Sequence, residues 1–569
     1  MSDILTLASQ ARDAGKLLPA AHDNLAEWIQ AKFLPDWALA ALNELATQNA
    51  WEELNDRFFQ KLAFGTGGMR GLTIGRVVAP SELGSPSDLG TPAHPAVGAN
   101  NLNDFTLIRA TVGLYRHVAD WLAKNQETKT PHLVIAHDVR HFSRHFCELA
   151  ASVWTRLGGE ALIFDGPRST PQLSFTVRHM CADAGIVITA SHNPPQYNGY
   201  KCYFNDGAQV IPPHDIGVID QVNAVRLDEI PPFLANDTSK TKRVPVSAED
   251  AYRSQLADNI LDKDIIARAK PSVVYTNIHG TGDVMILPAL ERFGANVSPV
   301  EAQRTHDPRF PTVKSPNPEN AEAFTLALRD AQKIKADIVI GTDPDDDRVG
   351  AAVRERDGSY RLITGNTIGS ALAAFRITRM KELGIIPAAG TQRATLVKTF
   401  VTTPLQDAIA EGEKIHCVNT LTGFKWIGAK LRKYQGLVED QLRAQSGSPV
   451  DYDAIPWLKR AELLQKHSTF FIFGGEESYG YLGTDGVRDK DGNAAALMIT
   501  ELAAWLKEKQ ITFSEYLDQI YLRYGFYAED LLNIVMEGAS GAAKIKSILE
   551  SLRANPPTEV DGAKVSLFQ

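Results

Sequence analysis

The chain has 569 residues, a formal net charge of −9, 44% hydrophobic and 22% charged residues. That balance describes a globular protein of three or four domains, each large enough to bury a core, and the acidic charge without a long basic run argues against nucleic acid as a partner. The four cysteines, Cys147, Cys181, Cys202 and Cys417, show no C-x-x-C spacing and read as thiols of a reducing cytosol. The N-terminus MSDILTLA lacks a basic region followed by a sustained apolar stretch, and no apolar run approaches the roughly 18 residues of a membrane span, so a cytoplasmic protein away from membranes is expected.

Residues 1–58 read as helical, with helix-spaced apolar positions in LAEWIQ at 25–30 and WALAAL at 37–42. Residues 79–98, rich in Gly, Pro and Ser, read as a long loop. From there strand and helix patterns alternate, as at 133–136 and 272–275, which predicts α/β units with sheets covered on both faces. The apolar run GIVIT at 185–189 reads as a buried strand leading into a Ser191-His192-Asn-Pro-Pro loop. Ligands of open α/β sheets bind at the carboxyl ends of such strands, so Ser191 is a candidate covalent centre or, alternatively, an ordinary turn or cap residue. Lys201 is the nearest basic side chain that can return to it. His192 is a poor base for Ser191, because adjacent residues rarely aim side chains at each other. The G-x-S-x-G elbow of an α/β-hydrolase is absent.

A second strand pattern at 338–340 runs into GTDPDDDRVG at 341–350. Asp343, Asp345 and Asp347 alternate at two-residue spacing, and an all-oxygen set suits Mg²⁺ or Ca²⁺; the alternative is a solvated acidic turn. An EF-hand fails by position, since Arg348 and Arg354 stand where Gly and Glu are required. A third apolar strand, FFIF at 470–473, precedes GGEES. There Glu476 and Ser478 carry acceptor and donor groups suited to neighbouring sugar hydroxyls, or simply form a glycine-rich polar turn. Behind them Arg488 and Lys490 are cations of the kind that grip phosphate.

Taken together, TASHNPPQYNGYK at 189–201, GTDPDDDR at 341–348 and GGEES at 474–478 resemble the α-D-phosphohexomutase superfamily, nearest its phosphoglucomutase-2/phosphopentomutase-like branch. FGTGGMRG at 64–71, HDVRHFSR at 137–144, NIHGTG at 277–282, FPTVKSPNPE at 310–319, VKTFVTT at 397–403 and TLTGFKWIG at 420–428 extend the resemblance over residues 45 to 500. It implies several related mixed or parallel-sheet α/β domains around a central cleft, with a helical N-terminal extension and an incomplete C-terminal domain. The expected division is 1–58, 59–215, 216–325, 326–515 and 516–569. The resemblance also implies that Ser191 is carried as a phosphoserine, that Asp343, Asp345 and Asp347 hold Mg²⁺ together with an oxygen of that phosphoserine, and that Lys201 is the general acid/base. Glu476 and Ser478 become the readers of sugar hydroxyls. Arg70, His192, Arg348, Lys425, Arg488 and Lys490 are expected on the substrate side, Arg140 and His141 in support, and Lys398 near substrate phosphate or the loops.

The implied activity is interconversion of glucose 1-phosphate and glucose 6-phosphate through a glucose 1,6-bisphosphate intermediate, in a monomer or weak dimer. Pentose or mannose phosphates are the alternatives within the family. A phosphatase of the D-x-D-x-T type lacks its hydroxyl neighbour at Asp347-Arg348. The C-terminus departs from the family pattern, which has a fourth domain with an R-x-S-G-T-E-P loop gripping the distal phosphate. The nearest segment here is EGASG at 537–541. It is followed by Ile545, Ile548, Leu549 and Leu552 at amphipathic-helix spacing, so Ser540 is expected to cap a helix. A truncated sequence or a lost loop are the two expectations, and the second makes a non-catalytic phosphosugar-binding homologue the competing function.

Overall fold

A computed structural model describes residues 2–566 apart from Thr66, 531–533, 535 and 537. Three mixed sheets follow one another along the chain. The first contains β1 (Gly68–Leu72), β2 (His132–His137), β3 (Glu160–Ile163), β4 (Ala184–Ile188), β5 (Tyr197–Phe204) and β6 (Lys242–Arg243), in the order β1-β5-β4-β2-β3-β6. The second has β7 (Ser272–Thr276), β8 (Asn296–Pro299), β9 (Ile338–Thr342), β10 (Val349–Arg354) and β11 (Tyr360–Ile363), in the order β11-β10-β9-β7-β8. The third has β12 (Thr391–Thr399), β13 (Ile415–Thr420), β14 (Phe470–Glu476) and β15 (Gly480–Leu482), in the order β13-β12-β14-β15.

One device recurs in all three. A fully buried strand that pairs in parallel with one neighbour (β4 with β2, β9 with β7, β14 with β12) turns straight back into an antiparallel partner (β5, β10, β15). Each turn contains a non-glycine residue in the left-handed region: Ser191 at φ 52°, Asp346 at 57° and Tyr479 at 66°. Such backbone is costly for an L-residue and persists where surrounding structure enforces it. The chain therefore supplies three equivalent tight loops, and these are the three motifs that the strand patterns single out.

Helices Ser2–Asp13, Pro19–Gln30, Asp36–Thr47 and Trp51–Phe58 occupy the N-terminal segment. Their apolar stripes close on the first unit, where Trp28 meets Phe33, Phe58 and Phe105 edge-on at 5.3–5.7 Å between ring centres. The loop expected at 79–98 contains one short helix, Pro80–Leu83. Glu82 from that turn and Glu53 both bind the buried Arg57, at 2.6 and 2.7 Å, which pins the loop to the helices.

Three of the expected boundaries fall inside structural elements. The cut at 215/216 divides helix His214–Ala224, whose Val222 packs on Gly113, and β6 still pairs with β3. The cut at 325/326 divides the second sheet, separating β7 and β8 from β9. The cut at 515/516 divides helix Phe513–Tyr524, where Tyr524 donates to Glu413 at 2.5 Å and Arg356 pairs with Glu515 at 2.5 Å. Polarity at these places marks exposed turns and helix faces and not gaps between cores. We propose divisions near residues 245, 365 and 525 instead. Beyond 525 lie helix Gly538–Ala554 and a two-stranded hairpin, β16 (Glu559–Val560) with β17 (Ala563–Lys564). Ser540 is the third residue of that helix and not its cap, while Glu537 lies outside the described residues. Ile545, Leu549 and Leu552 are exposed.

Buried arginines tie the units together by satisfying backbone carbonyls. Arg376 donates to Ile472, Asn259 and Gly483 at 2.8–3.1 Å. Arg178, from the first unit, donates to the Asp485 carbonyl at 2.8 Å. Among the described residues no helix is long and apolar enough to cross a membrane, and all four cysteines are free.

Glu501 gives this junction a pH dependence. Its carboxylate accepts from the backbone N–H groups of Leu261 and Asp262 at 2.9 and 2.8 Å, yet burial lifts its pKa from 4.5 to about 7. The folded state thus keeps a proton that the unfolded chain has lost, so this contribution is full below pH 4.5 and disappears as pH rises through 7. Glu501→Gln should therefore be more stable than the wild type at pH 8, by on the order of 3 kcal/mol, with the gap closing toward pH 4.5. Urea denaturation midpoints at the two pH values check this.

Candidate active site

The β4–β5 turn carries Ser191, and the antiparallel register sets Lys201 opposite Val187, so both project from one end of the first sheet. β5 can approach this closely because Gly199 has no side chain: a Cβ there would lie 2.3 Å from the Thr189 carbonyl oxygen. Arg140 fixes the loop itself. Its guanidinium donates to the carbonyls of Ser191, Pro194 and Tyr197 at 2.6, 2.8 and 3.0 Å, and to that of Asn193. Asp138 lies beside it at 3.2 Å and accepts from Thr189 Oγ1 and Ser143 Oγ at 2.7 Å. The supporting role expected for Arg140 becomes specific: one planar fork gathers four loop carbonyls, as guanidinium geometry allows.

The β9–β10 turn faces this loop. Asp343, Asp345 and Asp347 are buried, with one oxygen from each lying within 4.8 Å of the others. Ser191 Oγ donates to Asp343 Oδ2 at 2.7 Å. Lys201 Nζ reaches Asp345 at 2.6 Å and Asp347 at 2.7 Å, and Lys490 Nζ approaches Asp347 at 3.4 Å. A nucleophile from the first sheet, three acids from the second and a cation that follows the third thus meet at one point.

These loops wall a cavity of about 310 Å³ lined by Arg70, Ser191, Lys201, Asp347, Arg348, Glu476 and Lys490, together with Gln209 and Phe424.

Residues 96–228 match the family described as phosphoglucomutase/phosphomannomutase, alpha/beta/alpha domain I; 250–358 match domain II, and 369–439 with 459–524 match domain III. A phosphoglucomutase of Staphylococcus aureus (strain MRSA252) is 33% identical over 521 residues, covering 91% of this chain and 82% of that protein. The chain belongs to the phosphoglucomutase/phosphomannomutase family. It is a phosphosugar mutase, an isomerase that relocates a phosphoryl group. Two solved structures share the fold: a Thermus thermophilus protein provisionally named a phosphomannomutase (TM-score 0.59, 21% identity, 82% of this chain and 84% of that one), and the Paramecium phosphoglucomutase parafusin in an open form (TM-score 0.52, 17% identity, 89% and 82%).

Not every residue expected at the site of this mutase reaches the cavity. Arg488 is fully buried, meets Gln435, and lies among Arg178 and Asp485; burial and Arg178 lower its pKa to about 10. It stays inside its own unit beside Gln435 and does not line the cleft. Ser478 is half-buried in the β14–β15 turn, outside the lining. Lys425 begins helix Lys425–Ser446 with its Nζ 5.2 Å from the Trp426 ring, also outside it. Lys398 is engaged with Asp407 at 2.9 Å and the Thr402 carbonyl at 3.0 Å. His141 meets Thr91 at 2.7 Å. His192 lies nearer to Ser191 than neighbours usually do: its Nδ1 is 3.2 Å from Oγ, since the left-handed serine swings the two side chains together. Burial, then Arg348 and Arg70, depress its pKa to about 2, so the ring is neutral. Gln209 and Phe424 carry no sequence signature of their own, although Phe424 lies inside TLTGFKWIG. Thr170, absent from every motif, donates to Asp345 at 2.5 Å.

The electrostatics of the acid cluster are opposed and specific. Burial, then Asp345 and Asp347, push Asp343 well above the carboxylate range. Burial pushes Asp347 the same way, but Lys201, Lys490 and Arg348 overcome it and hold that group ionised. Lys201 keeps its charge despite burial because Asp345 and Asp347 raise its pKa. Asp345 Oδ1 and Asp347 Oδ1 have no hydrogen-bond partner among the described residues. Buried, unpaired carboxylate oxygens converging from one loop fit a hard divalent cation. Mg²⁺ should accordingly raise the thermal midpoint of the purified protein in a saturable way, and Asp345→Asn should shift that titration by at least about tenfold. Differential scanning fluorimetry across Mg²⁺ concentrations, without substrate, gives the answer.

Proposed function

We propose that this mutase interconverts glucose 1-phosphate and glucose 6-phosphate, carrying the phosphoryl group on Ser191 and passing through glucose 1,6-bisphosphate. The observation that carries this reading is the 2.7 Å approach of Ser191 Oγ to Asp343, beside a lysine that bridges Asp345 and Asp347. Glucose is chosen because the Staphylococcus aureus relative is a phosphoglucomutase.

Mg²⁺, held by Asp343, Asp345 and Asp347, would supply charge neutralisation for the transferring group. The chain's own residues do the rest. In one direction the bond from Ser191 Oγ to phosphorus breaks and a sugar hydroxyl oxygen takes the phosphoryl group. In the other, the sugar oxygen–phosphorus bond breaks and Ser191 Oγ takes it. Each transfer moves one proton the opposite way, from the sugar hydroxyl to Ser191 Oγ or back, and Lys201 handles the sugar side. Lys201, whose charge Asp345 and Asp347 favour, is the acid that serves the departing sugar oxygen. Arg348, fixed by Glu319 at 2.7 Å, and Arg70, 3.2 Å from Asn193, place positive charge along the phosphate path. Glu476, held by the Gly423 N–H at 2.9 Å, offers its carboxylate to sugar hydroxyls. The three loops and their donors come from three different sheets, so transfer depends on positioning more than on any single group.

Ser191→Ala should reduce turnover of glucose 1-phosphate, measured in a coupled assay primed with glucose 1,6-bisphosphate, by about 10³-fold or more, without loss of the Mg²⁺-induced thermal shift. A variant with undiminished turnover removes the covalent role. Equal or better rates with mannose 1-phosphate or ribose 1-phosphate in the same assay would reassign the sugar while leaving the serine chemistry in place.

A further inference from the structure

A second cavity, of about 340 Å³, lies at the far end of the metal-loop hairpin. Its walls include Ile338 on β9, Val353 on β10, Leu372 on helix Gly365–Glu382, and Ile499 and Leu506 on helix Gly492–Lys509. All five are 0–4% exposed. The space exists because two small side chains, Ala351 on the sheet and Ala503 on the helix, line it where larger ones would fill it. Its volume and its apolar lining with a polar mouth suit a small ligand.

The rim selects the sign of that ligand. Lys507 pairs with Asp337 at 2.8 Å, Arg356 with Glu515 at 2.5 Å, and Glu355 with Arg361 at 2.9 Å. Arg354 also lines the cavity and is half-buried. Among the described residues its guanidinium has no hydrogen bond or ion pair. One uncompensated cation thus stands at the mouth of an apolar pit. From Ile338 to Asp343 the strand runs five positions, about 16 Å at strand rise, so this cavity is separate from the sugar-phosphate cleft.

We propose that this cavity binds a small amphipathic carboxylate, with an aliphatic body between the β9–β10 hairpin and helix Gly492–Lys509 and its carboxylate paired to Arg354. The volume admits about eleven non-hydrogen atoms at roughly 30 Å³ each, close to a medium-chain fatty acid such as decanoate with its carboxylate at the mouth.

Isothermal titration of the full chain with decanoate tests this, with decanol as the neutral counterpart. The wild type should bind one decanoate saturably. Arg354→Ala, a rim substitution that leaves the walls intact, should weaken decanoate by about tenfold or more, the scale of a charge-assisted contact, and leave decanol unaffected. Ala503→Trp, checked for native circular dichroism, should weaken both. No saturable decanoate binding to the wild type, or decanoate binding that Arg354→Ala does not weaken, would overturn the proposal.

Discussion

Everything at the cleft depends on one electrostatic problem, three buried carboxylates within 4.8 Å of one another. Such a group is unfavourable in a low-dielectric interior unless cations are brought to it. The protein answers with Lys201 from the first sheet and Lys490 from the segment that follows the third, and leaves one oxygen each of Asp345 and Asp347 without a hydrogen bond among the described residues. Ser191 Oγ completes the ring. The acids thereby serve as the assembly point of the site, since Ser191 and Lys201 come to them from the first sheet and Lys490 from the segment after the third.

Assembly at a point demands rigidity in what delivers the groups. Each of the three hairpins turns in eight residues or fewer, through a left-handed position that surrounding structure enforces. Arg140 enforces one of them by gathering four carbonyls of the serine loop. Arg178 and Arg376 do the equivalent between units, whereas Arg488, fully buried, donates to Gln435 of its own unit. The repeated use of guanidinium forks on backbone carbonyls has a simple cause: irregular loops leave carbonyls without partners, and a fork with five donors satisfies several at once.

Much of this can be read in the sequence because the site's chemistry sits on strand-then-turn patterns. Three apolar runs ending in polar loops predict three strand termini, and alternating Asp residues predict converging carboxylates. What escapes the sequence is set by tertiary packing. Arg488 and Lys490 look alike as cations two residues apart, yet a turn buries one beside Gln435 and sends the other to Asp347. Lys398 looks equally available, but Asp407 on a neighbouring helix claims it. Thr170 and Gln209 carry no motif because their roles come only from what folds against them. Polar composition is ambiguous for a related reason: the stretch 300–325 connects β8 and β9 of one sheet, and composition does not distinguish such a connection from a linker.

The central claim is that a phosphoryl group on Ser191 lies against the three-aspartate site. Phosphorus NMR of the protein treated with glucose 1,6-bisphosphate, then titrated with Mn²⁺ in place of Mg²⁺, measures that proximity directly. The expected result is a single phosphoserine resonance, absent in Ser191→Ala, that stoichiometric Mn²⁺ broadens beyond detection and that Asp345→Asn protects. A phosphoserine signal that stays sharp with Mn²⁺ bound, or no such signal in the treated wild type, would contradict it.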